Sequence, residues 1–134
     1  MKYVKWFLAG AIAVPFGHQI MLWILNLAGF TTHKPFPMTP TEPFGVPSLI
    51  SLSFWGGVWG ILLGLVLSRS RGAAYWAVAI VFGAIAPTLV AGLVIPPLKG
   101  LPIRVDMSLF LLGLLVNGAW GLVTAFVVWL FNKK

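Results

Sequence analysis

The chain has 134 residues, of which 60% are hydrophobic and only 8% are charged, against about 25% charged residues in soluble domains. So few charges cannot clothe a globule of this size in water-compatible surface, which sets aside water-soluble enzyme folds and leaves a single membrane domain, 1–134, as the fitting class. The formal charge of +7 does not indicate nucleic acid, because the basic residues flank apolar runs instead of forming an aromatic-interleaved patch, and the absence of cysteine removes disulfides, thiol catalysis and cysteine-ligated metal.

Four apolar runs follow in chain order, at about 4–30, 48–67, 73–95 and 107–131. A helix crossing the hydrocarbon core needs roughly 20 residues, and in lipid the backbone must bond to itself, so each run is predicted to be a transmembrane helix. The first begins after Lys2 and Lys5 and contains an Ala11-Ile12-Ala13 stretch of the kind found at signal cleavage sites. Its apolar character continues to Leu27, which favours an uncleaved span. The predicted fold class is thus an all-α integral membrane protein, a four-transmembrane-helix bundle.

The connections set the direction. Lys2, Lys5, Arg69, Arg71, Lys133 and Lys134 lie on one side, and Lys34, Lys99 and Arg104 on the other, together with both acids, Glu42 and Asp106. The positive-inside rule places the richer side in the cytoplasm, with both termini. Tyr3, Trp6, Tyr75, Trp76 and Trp129 fall at the same ends, where interfacial aromatic anchors belong. The first outer connection, 31–47, reads TTHKPFPMTPTEPFGVP and holds Pro35, Pro37, Pro40, Pro43 and Pro47, half of the chain's prolines. Because proline fixes its own φ and extends the residue before it, an ordered, extended cover without regular structure is expected there. The second outer connection, 96–106, is shorter and also contains proline.

Two pairs of stretches resemble one another. Gly-x-Trp-Gly occurs at 57–60 and at 118–121, Gly57 and Gly118 being 61 residues apart, and Ala-x-Ala-x-x-Phe-Gly occurs at 11–17 and at 77–83, Gly17 and Gly83 being 66 apart. Two tandem parallel hairpins are expected, related by a pseudo-two-fold axis along the membrane normal. Gly56, Gly60 and Gly64 in the second span, and Gly113, Asn117 and Gly121 in the fourth, recur every four residues. Small residues at that spacing form a groove where helices approach closely.

Polar side chains inside apolar spans are costly and commonly face a bundle interior. Counting from Trp6 at ~1.5 Å per residue, His18 lies roughly 18 Å into the span, just past the midplane towards the outer side. At about 100° per residue, His18, Gln19, Leu22 and Asn26 share one third of the helix circumference with Pro15. Pro15 is expected to kink the helix and to free the carbonyl of Ala11. His18, Gln19, Asn26 and Asn117 are therefore the candidate pocket, and a structural pairing of His18 with Asn117 or a backbone carbonyl is the alternative. A quinone-linked redox role has His18 and the nearby Trp23 in its favour. No acid lies in any span, and the other histidine, His33, is in the outer loop, so no metal, haem or other cofactor is expected.

Residues 16–19, 43–47 (PFGVP), 54–60 (FWGGVWG), 82–90 (FGAIAPTLV) and 97–100 (PLKG) resemble a family of small four-span inner-membrane proteins of proteobacteria. The resemblance implies a multi-pass protein of the bacterial cytoplasmic membrane and brings no activity, ligand or partner with it. With little polar chemistry and abundant packing chemistry, the leading expectation is a non-enzymatic accessory or scaffold subunit packing through its glycine faces. Its partners would be the lipid bilayer and a membrane protein or a second copy of itself. The alternative is a small transporter or ligand-binding protein with an outward-facing pocket at His18, Gln19 and Asn26.

Overall fold

An apolar chain leaves its backbone groups little to bond with except one another, and the computed structural model, which describes residues 1–133, meets this with four long helices. Lys134, counted among the basic residues above, lies outside the described residues. The helices are α1 (Lys2–Leu27), α2 (Ser48–Leu67), α3 (Ala73–Leu98) and α4 (Met107–Asn132), each long and apolar enough to cross a membrane.

Their ends have local causes. α1 stops three residues before the expected 30 because Gly29 takes φ +81° and the Phe30 N–H closes onto the Leu25 carbonyl, a left-handed helix ending that glycine accepts without a Cβ penalty. α3 runs three residues past the expected 95, through Pro96 and Pro97. Proline costs a helix hydrogen bonds but not helical φ. α4 starts where the Asp106 carboxylate accepts the N–H groups of Ser108 and Leu109, at 2.9 and 3.3 Å. One of the chain's two acids is thus a helix cap.

Both α1 and α3 widen by one residue per turn. In α1 this happens over Val14–His18, where the Gln19 N–H reaches back five residues to the Val14 carbonyl. In α3 it happens over Val90–Val94, where Ile95 bonds to Val90 in the same way. A proline stands at or shortly before each widened turn, Pro15 in the first and Pro87 ahead of the second. Local widening is one way for a helix to absorb a missing N–H.

The carbonyl freed in α1 differs from the expected one. The Val14 N–H turns to Ala11, so Ala11 keeps a partner and Gly10 loses one. The first outer connection also departs from expectation, since it contains regular structure. β1 (Pro40–Thr41) pairs antiparallel with β2 (Val46–Pro47), Thr41 opposite Val46. Gly45 at φ +71° turns the chain between them, and the Thr41 hydroxyl donates to the Val46 carbonyl at 2.7 Å. A one-step ladder tolerates prolines because few ladder N–H groups are required of them.

α1 packs along α2, α3 along α4, and α1 along α4, while α2 and α3 touch only lightly. Glycines set the closest approaches. A Cβ added at Gly10 would collide with the Gly56 carbonyl and come within 2.9 Å of the Gly60 Cα. At Gly83 it would lie 2.8 Å from the Asn117 carbonyl and 2.8 Å from the Gly121 Cα. Gly64 receives the Trp6 ring and Gly113 the Thr88 side chain. All five glycines expected to form packing grooves (Gly56, Gly60, Gly64, Gly113 and Gly121) therefore meet neighbours in their own chain.

These contacts set Gly60 and Gly121, 61 residues apart, in like places on the two helix pairs. They equate Gly10 with Gly83, 73 residues on, and not Gly17 with Gly83. Gly17 instead faces Ala119 and Val123 of α4. The difference of seven residues is about two helical turns, which returns to the same face, so a match of small residues alone does not separate the two registers.

The central core gathers Trp6, Ala9, Ala13, Val14, Leu63, Trp120 and Val128, with a smaller cluster of Leu22, Leu25 and Val116 farther along. Trp6 is buried against Gly64 instead of anchoring at an interface. Tyr75, Trp76 and Trp129 do cluster edge to edge at that end of the molecule, with the Lys133 ammonium 4.0 Å above the Trp129 ring.

Candidate functional site

Where the lightly joined α2 and α3 part, a cavity of about 200 Å³ opens among all four helices. α1 contributes Val14 and His18, α2 Leu52, Trp55, Gly56 and Trp59, α3 Pro87 and Ala91, and α4 Asn117 and Trp120. Eight of these fall into four pairs under the registers set by the glycine contacts. Val14 and Pro87 stand 73 residues apart, as do His18 and Ala91, while Gly56 and Asn117 stand 61 apart, as do Trp59 and Trp120. Each pair joins one residue from each hairpin, so the cavity lies between corresponding faces of the two. His18 faces the cavity from one side and Asn117 from the other, and their counterparts are an alanine and a glycine.

The widened turn positions His18, its last residue. The adjoining Gln19 is 1% exposed and is bonded from both ends of its amide. Its Oε1 accepts the Phe36 backbone N–H at 2.6 Å, and its Nε2 lies 3.0 Å from His18 Nδ1. A backbone N–H can only donate, so the amide is oriented with its oxygen towards the loop and its N–H₂ towards histidine. A donor facing Nδ1 requires that nitrogen to accept, and a neutral imidazole then carries its proton on Nε2. Nε2 has no hydrogen-bond partner among the described residues and is not sealed from the surface. The tautomer of a histidine that lines the cavity is therefore set by a loop 17 residues away in sequence.

On the other wall, Asn117 Nδ2 donates to the Thr88 hydroxyl at 2.9 Å. The pairing of His18 with Asn117 weighed from the sequence is not made. Asn117 retains its second amide hydrogen and its carbonyl oxygen for whatever occupies the cavity. Trp120 closes the floor. Its indole N–H donates at 2.9 Å to the Gly10 carbonyl, the group left free beside Pro15. The helix break and the indole that repairs it are thus one device, and it ties α4 to α1 directly below the cavity. Trp120→Phe keeps the ring and strands that carbonyl, so it is expected to cost about 1–3 kcal/mol of stability. Thermal unfolding in mild detergent checks this, with Trp59→Phe, which breaks no such bond, as the comparison.

Two of the four candidate residues meet in the cavity, His18 and Asn117. Gln19 lies behind His18 and orients it. Asn26 is elsewhere, its Nδ2 donating to the carbonyls of Thr31 and His33 at 3.1 and 3.0 Å. The cause is its place two turns farther out, where the chain reverses at Gly29 and loop carbonyls need donors. Trp23 is half exposed and does not line the cavity. The tryptophans that do are Trp55, Trp59 and Trp120; the sequence marks Trp59 and Trp120 only as members of the Gly-x-Trp-Gly pair and Trp55 only as part of the stretch 54–60. A signal for them existed, because Gly56 and Trp59, and Asn117 and Trp120, are three residues apart and so share a helix face.

A second cleft of about 580 Å³ separates the end of α3 from the start of α4. Its walls are mostly apolar, with Arg104 and Asp106 at the rim. No group of three histidine, cysteine or acidic residues that could hold a metal ion occurs among the described residues. Comparison of the chain with protein-family models, with curated proteins and with solved structures finds no match.

Proposed function

We propose that this is a multi-pass protein of the bacterial cytoplasmic membrane, with both termini in the cytoplasm, that binds a small lipid-soluble molecule between two duplicated helical hairpins. Four helices of membrane-crossing length and the bias of basic residues support the location. The pairing of cavity residues across the two hairpins supports the duplication. The observation that carries the binding reading is the cavity itself, with His18, whose Nε2 is unpartnered, among its lining residues. Few convergent polar groups in an apolar pocket are the usual form of a small-molecule site.

The scaffold reading rested on glycine faces, and those faces are spent within the chain. What remains for a partner is an apolar outer surface, which lipid would require in any case. Neither reading calls for catalysis, and the binding reading calls for no metal.

The test is native mass spectrometry of the protein extracted in mild detergent, compared with Ala91→Phe. Ala91 is exposed and lines the cavity, so a larger side chain there takes up room at its mouth and spares the buried helix contacts. A bound small molecule on the wild type that is lost from the variant is the expected result. An adduct-free wild type, or an adduct retained by the variant, would overturn the proposal.

A further inference from the structure

We infer that the occupant is an uncharged ring bearing carbonyl oxygens and carried on an apolar tail, of which a substituted quinone is the membrane-soluble type, entering from the side between α2 and α3. This rests on the binding reading above and adds the class of ligand.

Charge is decided first. No carboxylate lies on any of the four helices, and neither does any cation near the cavity. A charge moved into an apolar site without a counter-ion costs several kcal/mol, so an ion of either sign is disfavoured. Three indoles in the wall would ordinarily suggest a cationic guest. Here a neutral imidazole with its N–H on Nε2 lines the same space, and the indole N–H of Trp120 is already engaged.

The polar demand follows. A donor fixed on His18 Nε2 calls for an acceptor on the ligand, and a carbonyl oxygen meets it. Asn117 on the facing hairpin can donate its second amide hydrogen to another acceptor, or accept from a hydroxyl if the ring is in its reduced form. Indole faces suit a flat ring. A cavity of roughly 150 Å³ accepts a benzene-sized guest, and the cavity here, at about 200 Å³, has room for one substituted six-membered ring.

Size also dictates the tail. Anything longer than the ring must leave, and the rim residues Leu52, Trp55 and Ala91 are exposed on the outside of α2 and α3. The opening thus faces the side of the molecule that the membrane reading assigns to hydrocarbon, and Trp55, 57% exposed, stands at the gate.

The experiment titrates the purified protein in detergent with a decyl-substituted benzoquinone and follows tryptophan fluorescence, which quinones quench on contact. Saturable quenching is expected, weakened about tenfold in His18→Ala, the loss of roughly one hydrogen bond, and abolished in Ala91→Phe. Decyltrimethylammonium serves as the cationic probe of equal tail length and is expected not to compete. If the ammonium competes with the quinone or binds in its place, the cavity is a ligand site and the neutral-carbonyl assignment fails. If the quinone quenches alike in wild type, His18→Ala and Ala91→Phe, it is dissolved in the micelle and the assignment fails. If neither probe binds and no adduct accompanies the native protein, the binding reading falls with it.

Discussion

Replacing Gly10 with leucine is expected to prevent the first hairpin from closing, and the protein should unfold at low temperature or fail to accumulate. The reason is geometric. The first carbon of any side chain at this position runs into the Gly56 carbonyl and the Gly60 Cα, both backbone, and neither can swing aside as a side-chain tip can. Overpacking that flexible side chains absorb costs about 1–3 kcal/mol; against backbone on a neighbouring helix the cost belongs above that range. Gly83→Leu should behave alike in the second hairpin, where the obstacles are the Asn117 carbonyl and the Gly121 Cα. Gly92→Ala is the control. It is also a glycine in a long helix, yet an added Cβ meets nothing within 4 Å, so its stability should stay within about 1 kcal/mol of wild type. Thermal unfolding monitored by tryptophan fluorescence and size exclusion separates the three. Wild-type melting of Gly10→Leu would show that α1 and α2 do not pack through this crossing.

The second large effect is expected of Gln19→Leu. This change leaves two groups without partners, the Phe36 N–H and His18 Nδ1. Stranded polar groups cost about 1–3 kcal/mol each, so a loss on the order of 3 kcal/mol is expected if both stay dry. The loop has reason to leave. Phe36 sits at φ +54°, a conformation that costs a bulky residue about 1–3 kcal/mol and persists only where neighbours impose it. Without the 2.6 Å bond to Gln19 it should relax, and hydrogen exchange at the Phe36 amide should accelerate strongly. Gln19→Glu separates the two jobs of this residue. A carboxylate still accepts from Phe36, so the loop stays protected. It offers nothing to Nδ1, which must then become the donor, and in a ring that stays neutral Nε2 turns into an acceptor. Quinone-dependent quenching should fall in Gln19→Glu while Phe36 exchange stays slow. Unchanged Phe36 exchange in Gln19→Leu would show that the loop is held elsewhere.

These two residues also mark the limits of a linear reading. Gly10 is one of fifteen glycines, and nothing in its neighbourhood distinguishes it from Gly92, which touches nothing. Spacing identifies a small-residue face, but the partner helix decides which member of that face bears the contact. The same ambiguity leaves two spacings open between the first and third helices, 66 and 73 residues, since two helical turns return a side chain to almost the same direction. Gln19 was legible as a costly polar residue at depth. That it serves the loop and the adjacent histidine, and not the cavity, depended on Phe36 arriving from the proline-rich connection. Asn26 was grouped with His18 by helical phase alone, and its distance along the helix gave it a different task.

The sequence by itself determined the four long helices, their boundaries to within a few residues and the presence of polar groups among them. All of these follow from local quantities, namely hydropathy over about 20 residues, helical phase, and the backbone rules of proline and glycine. The tertiary structure decided which carbonyl Pro15 would strand, which indole would recover it, and that His18 and Asn117 would share one cavity while Asn26 would not. Those outcomes depend on which helix lies against which and at what height, and a chain whose lateral faces all satisfy the same apolar requirement does not encode that choice in any single segment.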